Sequence, residues 1–164
     1  MESRAKLLGH PIHPMLIVLP LGLFIGAVVF DALYLWRRTS TFPIVGYWNI
    51  AGGILAGLVA AVFGWIDWLA IPADTRAKRI GLLHGGSNVV VVLAFAVVWW
   101  VRSDSPDAAP SASIFAIELG ALVLGAVAGW LGGELVDRLG VGVDDGAHLN
   151  APSSLSGRPA RGTR

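Results

Sequence analysis

The run MLIVLPLGLFIGAVVFDALYLW, Met15–Trp36, decides the fold: 22 consecutive residues carry a single charge, Asp31. About 20 apolar residues wound into a helix are enough to cross the hydrocarbon core of a bilayer. Arg4 and Lys6 ahead of the run imitate the charged start of a signal peptide. The run exceeds the roughly 7 to 15 residues of a signal h-region, however, and lacks a small-x-small cleavage step before Arg37. It therefore reads as a retained span. Working outward, three more runs share its character: Ile44–Ile71, Ile80–Val101, and Ile114 to about Val136.

The connections between them are short and polar, at Arg37–Thr41, Pro72–Arg79 and Arg102–Ser113. Short connections force antiparallel neighbours, so the expected fold is all-α, an integral membrane four-helix up-down-up-down bundle. The bundle domain spans residues 13–138, with helices at 15–36, 44–71, 80–101 and 114–136. An N-terminal segment, 1–12, precedes it. Residues 139–164, rich in Gly, Ser, Pro and Arg, are expected to form a disordered tail. Small residues four apart, such as Gly22 and Gly26 or Gly53 and Gly57, suit close helix packing in lipid. Pro20, inside the first span, should kink it.

Composition agrees. The chain is 55% hydrophobic and 14% charged, against about 25% charged in soluble domains. The absence of cysteine excludes disulfides, thiolate metal sites, iron–sulfur ligation and thiol nucleophiles. No P-loop, dinucleotide fingerprint or nucleophile elbow occurs. Arg158, Arg161 and Arg164 are too sparse for a nucleic-acid footprint. A soluble enzyme and a nucleic-acid binder are thereby excluded, and the lipid bilayer is the first partner. Nine Lys and Arg residues fall on the N-terminal side of the membrane, against Arg37, Arg38 and Arg102 on the other. The positive-inside rule then sets both termini in the cytoplasm.

With that topology five polar side chains gather at the cytoplasmic end: His10, His13, Asp67, His84 and Glu134. Ionisable groups at membrane depth cost roughly 2.5–3.5 kcal/mol at a helix centre, so they pair or do work. His10 and His13 each precede a proline, in Gly9-His10-Pro11-Ile12-His13-Pro14, and are biased to extended backbone. Pro14 suits the first helical position, which would make His13 the cap. Either the two rings satisfy the helix end or they are ligands. His84 is either a packed histidine or a ligand, with Gly85 and Gly86 clearing space. Asp67 would orient an imidazole or pair with Arg76, Arg79 or Arg138, and Glu134 shares that ambiguity. At the outer end Asp31 and Glu118 lack a histidine; either they pair with Arg37 or Arg102 or they belong to a proton or ion path between the two ends.

These residues also carry a resemblance. The His10-Pro11-Ile12-His13-Pro14 opening, Pro20-x-Gly22, Asp31, Gly64-x-x-Asp67-Trp68, Arg79-x-Gly81-x-x-His84 and Gly129-Trp130-x-Gly132-Gly133-Glu134-Leu135 resemble a bacterial membrane family, domain of unknown function twenty-two thirty-one. The resemblance covers about residues 7–143 and implies residence in the bacterial cytoplasmic membrane. That family is similar to the four-helix membrane b-type cytochromes, and some relatives are joined to Rieske-type domains. The resemblance thus implies electron transfer with a redox partner protein, and axial haem ligation by His84 with His13 or His10. Near Asp137-Arg138 the chain departs from the family pattern, in which a tyrosine and a histidine flank the arginine. A fourth-helix ligand is accordingly not expected.

Three functions follow. The first is a b-type haem protein with His10, His13 and His84 as candidate ligands and Arg79, Arg76 or Arg138 at the propionates. The second is a transition-metal site or transporter built from His13, His84, Asp67 and Glu134. The third is a cofactor-free membrane interaction subunit.

Overall fold

A computed structural model describes residues 1–160. Arg161 and Arg164, counted above on the basic side, lie outside the described residues. The chain opens with a hairpin, β1 Lys6–Leu7 against β2 His10–Pro11. Leu8 (φ 51°) and Gly9 (φ 85°) turn the chain between the strands, and two positive φ values in succession are what a two-residue hairpin loop demands. Helix α1, Ile12–Leu16, follows directly and is separated by Ile17 from α2, Val18–Arg37. The break is the expected effect of Pro20, which has no N–H to offer the Leu16 carbonyl and crowds it with its ring. His13 lies inside α1 and not at its cap. Pro14 is the third helical residue, where an N–H would have no partner in any case.

Three helices complete the bundle: α3 Thr41–Ala70, α4 Arg76–Val101 and α5 Ala112–Gly133, the last running on into a π-helical turn, Glu134–Arg138. All three begin earlier than their apolar runs, and polar caps start two of them. Thr75 Oγ1 accepts from Lys78 N at 3.1 Å and Ser111 Oγ from Ile114 N at 3.3 Å. Helices α2 to α5 touch in sequence, and α2 meets α5, closing a four-helix bundle.

The centre is hydrocarbon. Phe24 and Phe95 stack with ring centroids 4.1 Å apart and planes 3° apart, amid Ala27, Val28, Ile50, Val91, Val98 and Ala121. Gly53 makes this possible, since a Cβ there would stand 2.6 Å from Phe24 Cε1. Outside, the bundle is inverted relative to a soluble protein: Leu55, Leu58, Val62, Leu93 and Val123 are all more than half exposed. Trp36, Trp48 and Trp100 project at one end and Trp65 and Trp130 at the other, as in the aromatic belts of membrane interfaces. Four helices are long and apolar enough to span a bilayer, and the chain is a membrane protein.

At the histidine end the N-terminal segment folds back over the bundle. The Asp67 carboxylate accepts from Ser3 Oγ at 2.8 Å and Arg4 N at 2.7 Å. The Met1 ammonium donates to Gly140 O at 2.8 Å, and Gly142 N donates back to Met1 O at 2.8 Å. Lys6 Nζ binds both Glu2 and Asp144. Of residues 139–164, read in the sequence as a disordered tail, Gly140, Gly142 and Asp144 make three of these contacts and Ser154 a further one, with His10.

Candidate functional site

Two imidazoles from distant parts of the chain meet at the N-terminal end of the bundle. His13 is carried by α1 and His84 by α4, and their ring centroids are 6.2 Å apart with planes at 87°. Each ring is fixed by the same device. His13 Nδ1 donates to Ala60 O of α3 at 2.8 Å, and His84 Nδ1 donates to Ala128 O of α5 at 2.8 Å. Both carbonyls already serve helices, and both stand four residues before a glycine. A Cβ on Gly64 would be 2.8 Å from His13 Cε1, and one on Gly132 would be 3.1 Å from His84 Cε1. The missing side chains are what let each ring lie against its helix.

A carbonyl can only accept, so the proton of each neutral ring is on Nδ1 and the lone pair on Nε2. This is the outer arrangement typical of a ligating histidine, with a backbone carbonyl in place of a carboxylate. His84 Nε2 meets the Asn88 amide nitrogen at 3.4 Å, while that nitrogen donates at 2.9 Å to the His84 carbonyl. The short bond is to the backbone, and the longer one holds Nε2 only weakly.

The other expected members of the site lie elsewhere. His10 is exposed on β2, its Nε2 3.3 Å from Ser154 Oγ, because the Leu8-Gly9 turn places it on the hairpin and away from the bundle axis. Asp67 is occupied by Ser3 and the Arg4 and Ala5 amides, neither orienting an imidazole nor pairing with an arginine. Glu134 Oε1 accepts from Arg76 Nη2 at 2.7 Å. Arg79 is exposed, and its five-residue offset from His84 puts it about 140° round α4. The four-residue metal set therefore does not assemble: among the described residues no three His, Asp or Glu side chains converge to hold an ion. The physical reason is competition. The N-terminal segment takes one carboxylate and Arg76 takes the other.

A second polar cluster occupies the opposite end. Arg102 joins Asp31 Oδ2 at 2.5 Å, Asp31 Oδ1 at 3.2 Å, Glu118 Oε1 at 3.3 Å and Pro43 O at 3.0 Å. Of the two arginines allowed by the sequence, Arg102 takes both carboxylates, while Arg37 lies over the Trp36 ring at 5.1 Å. Sequence reasoning did not identify Ala60, Ala128, Gly64 and Gly132 as the anchors of the imidazoles. The repeated Ala-x-x-x-Gly spacing was the available signal.

Among known proteins, no curated sequence and no solved structure matches the chain. A family model described as "Predicted membrane protein (DUF2231)" matches residues 9–145, from the hairpin glycine through all four spans to the contacts beyond the π turn. With most of its length covered by that model, the chain belongs to the DUF2231 family of membrane proteins.

Proposed function

We propose that the chain is a b-type haem protein of the bacterial cytoplasmic membrane, with His13 and His84 as axial ligands, that exchanges electrons with a partner protein at the cytoplasmic face. The observation that carries this reading is the spacing of the imidazole pair. Two rings bound through Nε2 on opposite sides of one metal, at about 2.0–2.1 Å, have centroids roughly 6.3 Å apart, since the nitrogen lies about 1.1 Å from the ring centre. The observed separation is 6.2 Å.

The number of donors favours haem over a bare ion. Zinc in a structural site takes four protein ligands, whereas a porphyrin brings four nitrogens of its own and needs two. Two imidazoles, each with Nδ1 tied to a carbonyl, supply that pair. Gly85, Gly86, Gly129 and Gly133 are exposed and have no atom within 4 Å of where a side chain would begin, so the outer faces of the helices that flank His84 are uncluttered. Bound haem would supply a one-electron iron couple whose potential depends on the axial ligands and their hydrogen bonds. The protein's part is to hold both rings, fix their tautomer and exclude water with the folded-back N-terminal segment. The excess of Lys and Arg at this end supports a cytoplasmic placement, which reporter fusions to each terminus would check.

The test is an absorbance spectrum of detergent-purified protein after reconstitution with haemin. A Soret band that shifts on reduction is expected, together with the strongly anisotropic low-spin resonance of nearly perpendicular axial rings. His13→Ala and His84→Ala should each lose the low-spin spectrum, and His148→Ala should keep it. Retention of the spectrum in the His84 variant would overturn the assignment. Stoichiometric copper or zinc without a Soret band would replace haem with a metal ion. Neither would leave a cofactor-free interaction subunit.

A further inference from the structure

The end of the bundle away from the imidazoles confines one guanidinium and two carboxyl groups where water does not reach. Asp31 on α2 and Glu118 on α5 are fully buried, and Arg102, which caps α4, is 4% exposed. Arg102 divides its donors unequally. Asp31 receives a two-pronged contact at 2.5 and 3.2 Å, whereas Glu118 receives a single one at 3.3 Å. Glu118 Oε2 is buried without a donor, as is the indole nitrogen of Trp99 without an acceptor.

Among the described residues, the packing around the cluster offers no second cation. From α3, Gly46 backs Asp31, where a Cβ would stand 2.8 Å from Oδ1, and Tyr47 stacks on Trp99 with centroids 5.6 Å apart. Arg37 and Arg38, at the end of α2, are exposed and lie over the Trp36 and Tyr34 rings. The titratable groups facing the cluster are thus Asp31 from α2, Tyr47 from α3, Arg102 from α4 and Glu118 from α5. Fully ionised, the three charged groups would carry a net charge of −1. A buried charge without a counter-ion neutralises in preference to remaining charged.

We propose that Asp31, Glu118 and Arg102 form a binding site for one proton, carried by Glu118, while Arg102 holds Asp31 as the carboxylate. The two-pronged contact selects Asp31 as the anion, because bidentate guanidinium–carboxylate bonds are the stronger ones. The proton turns the Glu118 carboxyl from an acceptor into a donor, and Asp31, held by the same Arg102 Nη1, is the carboxylate in the cluster to accept it. The loaded site is electrically neutral and suits its apolar surroundings. This inference does not depend on haem.

Infrared difference spectroscopy on the full chain in lipid tests it. At neutral pH the wild type is expected to show the C=O stretch of a protonated carboxylic acid, shifted in D2O and absent from Glu118→Gln. Asp31→Asn is also expected to lose the band, because Glu118 then ionises to pair with Arg102. Glu118→Gln should melt within error of the wild type, since a carboxamide imitates the protonated acid. Should Asp31→Asn fail to fold, the wild-type and Glu118→Gln spectra and melting temperatures decide the matter alone. A wild type without the band, a band that survives in Glu118→Gln, or a Glu118→Gln protein that melts well below the wild type would each overturn the proposal. The last of these is what a purely structural ion triad predicts.

Discussion

Replacing Gly64 with alanine tests how the imidazole pair is built, because two opposing effects can be weighed there. The added Cβ would stand 2.8 Å from His13 Cε1, closer than real Cβ contacts come, so the ring must move. Moving it breaks the 2.8 Å bond from His13 Nδ1 to Ala60 O. Overpacking of this kind costs about 1–3 kcal/mol and a lost hydrogen bond about 1 kcal/mol. Alanine in place of a mid-helix glycine returns about 1 kcal/mol. Gly64→Ala is therefore destabilising by about 1–3 kcal/mol. At Gly132 the corresponding distance to His84 Cε1 is 3.1 Å, which a shift of a few tenths of an ångström relieves, and the helix gain offsets it. Gly132→Ala should be within about 1 kcal/mol of neutral. Reversible unfolding in mixed micelles, followed by circular dichroism, measures both. A Gly64→Ala protein as stable as the wild type, or a Gly132→Ala protein that suffers more, would refute the account of how the rings are seated.

Three further outcomes are expected. Arg102→Leu leaves the buried Asp31 carboxylate without its cation and should cost about 3–5 kcal/mol, seen as lost folded yield or a much lower unfolding midpoint. Asp67→Asn weakens charge-assisted bonds from Ser3 and Arg4 and should loosen the N-terminal segment by about 1.5–3 kcal/mol, raising deuterium uptake over residues 1–10 while α2 to α5 stay protected. The clasp of Lys6 with Asp144 and Glu2 should have two pH limits. The bond to Lys6 holds the Glu2 carboxyl below its usual 4.5, so its contribution is complete above that value and disappears as pH falls through the depressed one. Bonds to Asp144 and then Glu2 hold the Lys6 ammonium above its usual 10.5, so its contribution is complete below that value and disappears as pH rises through the elevated one. Amide protection over residues 140–145, taken relative to the intrinsic exchange rate at each pH, should be greatest between these limits. A monotonic trend across the whole range would contradict the clasp.

The fold was legible because lipid leaves few options: four apolar runs with short polar breaks can only be helices packed antiparallel. Helix ends were less so. Thr75 and Ser111 start their helices ahead of the apolar runs, since a hydroxyl cap acts on backbone N–H groups and leaves no trace in hydropathy. Bringing His13 and His84 to one end also followed from alternating passes. What the chain order hid was competition for partners. Asp67 looks like a neighbour of the imidazoles until residues 3–5 fold over it, and Glu134 until Arg76 reaches it across the α4–α5 seam. Such choices are settled by tertiary distances that spacing alone does not encode. Arg102 was one of two candidates, and burial decided between them: Arg37 can reach water, while Arg102 sits where only carboxylates and a carbonyl are available.

Between the two polar ends lies the stacked Phe24–Phe95 pair with its aliphatic surroundings, and the core cluster there contains no polar side chain. Such a layer behaves as the dielectric of a small capacitor. An ion moved into it would shed its water and meet only aromatic and aliphatic side chains from that cluster. Along the bundle the two polar ends are thus separated by a hydrocarbon barrier.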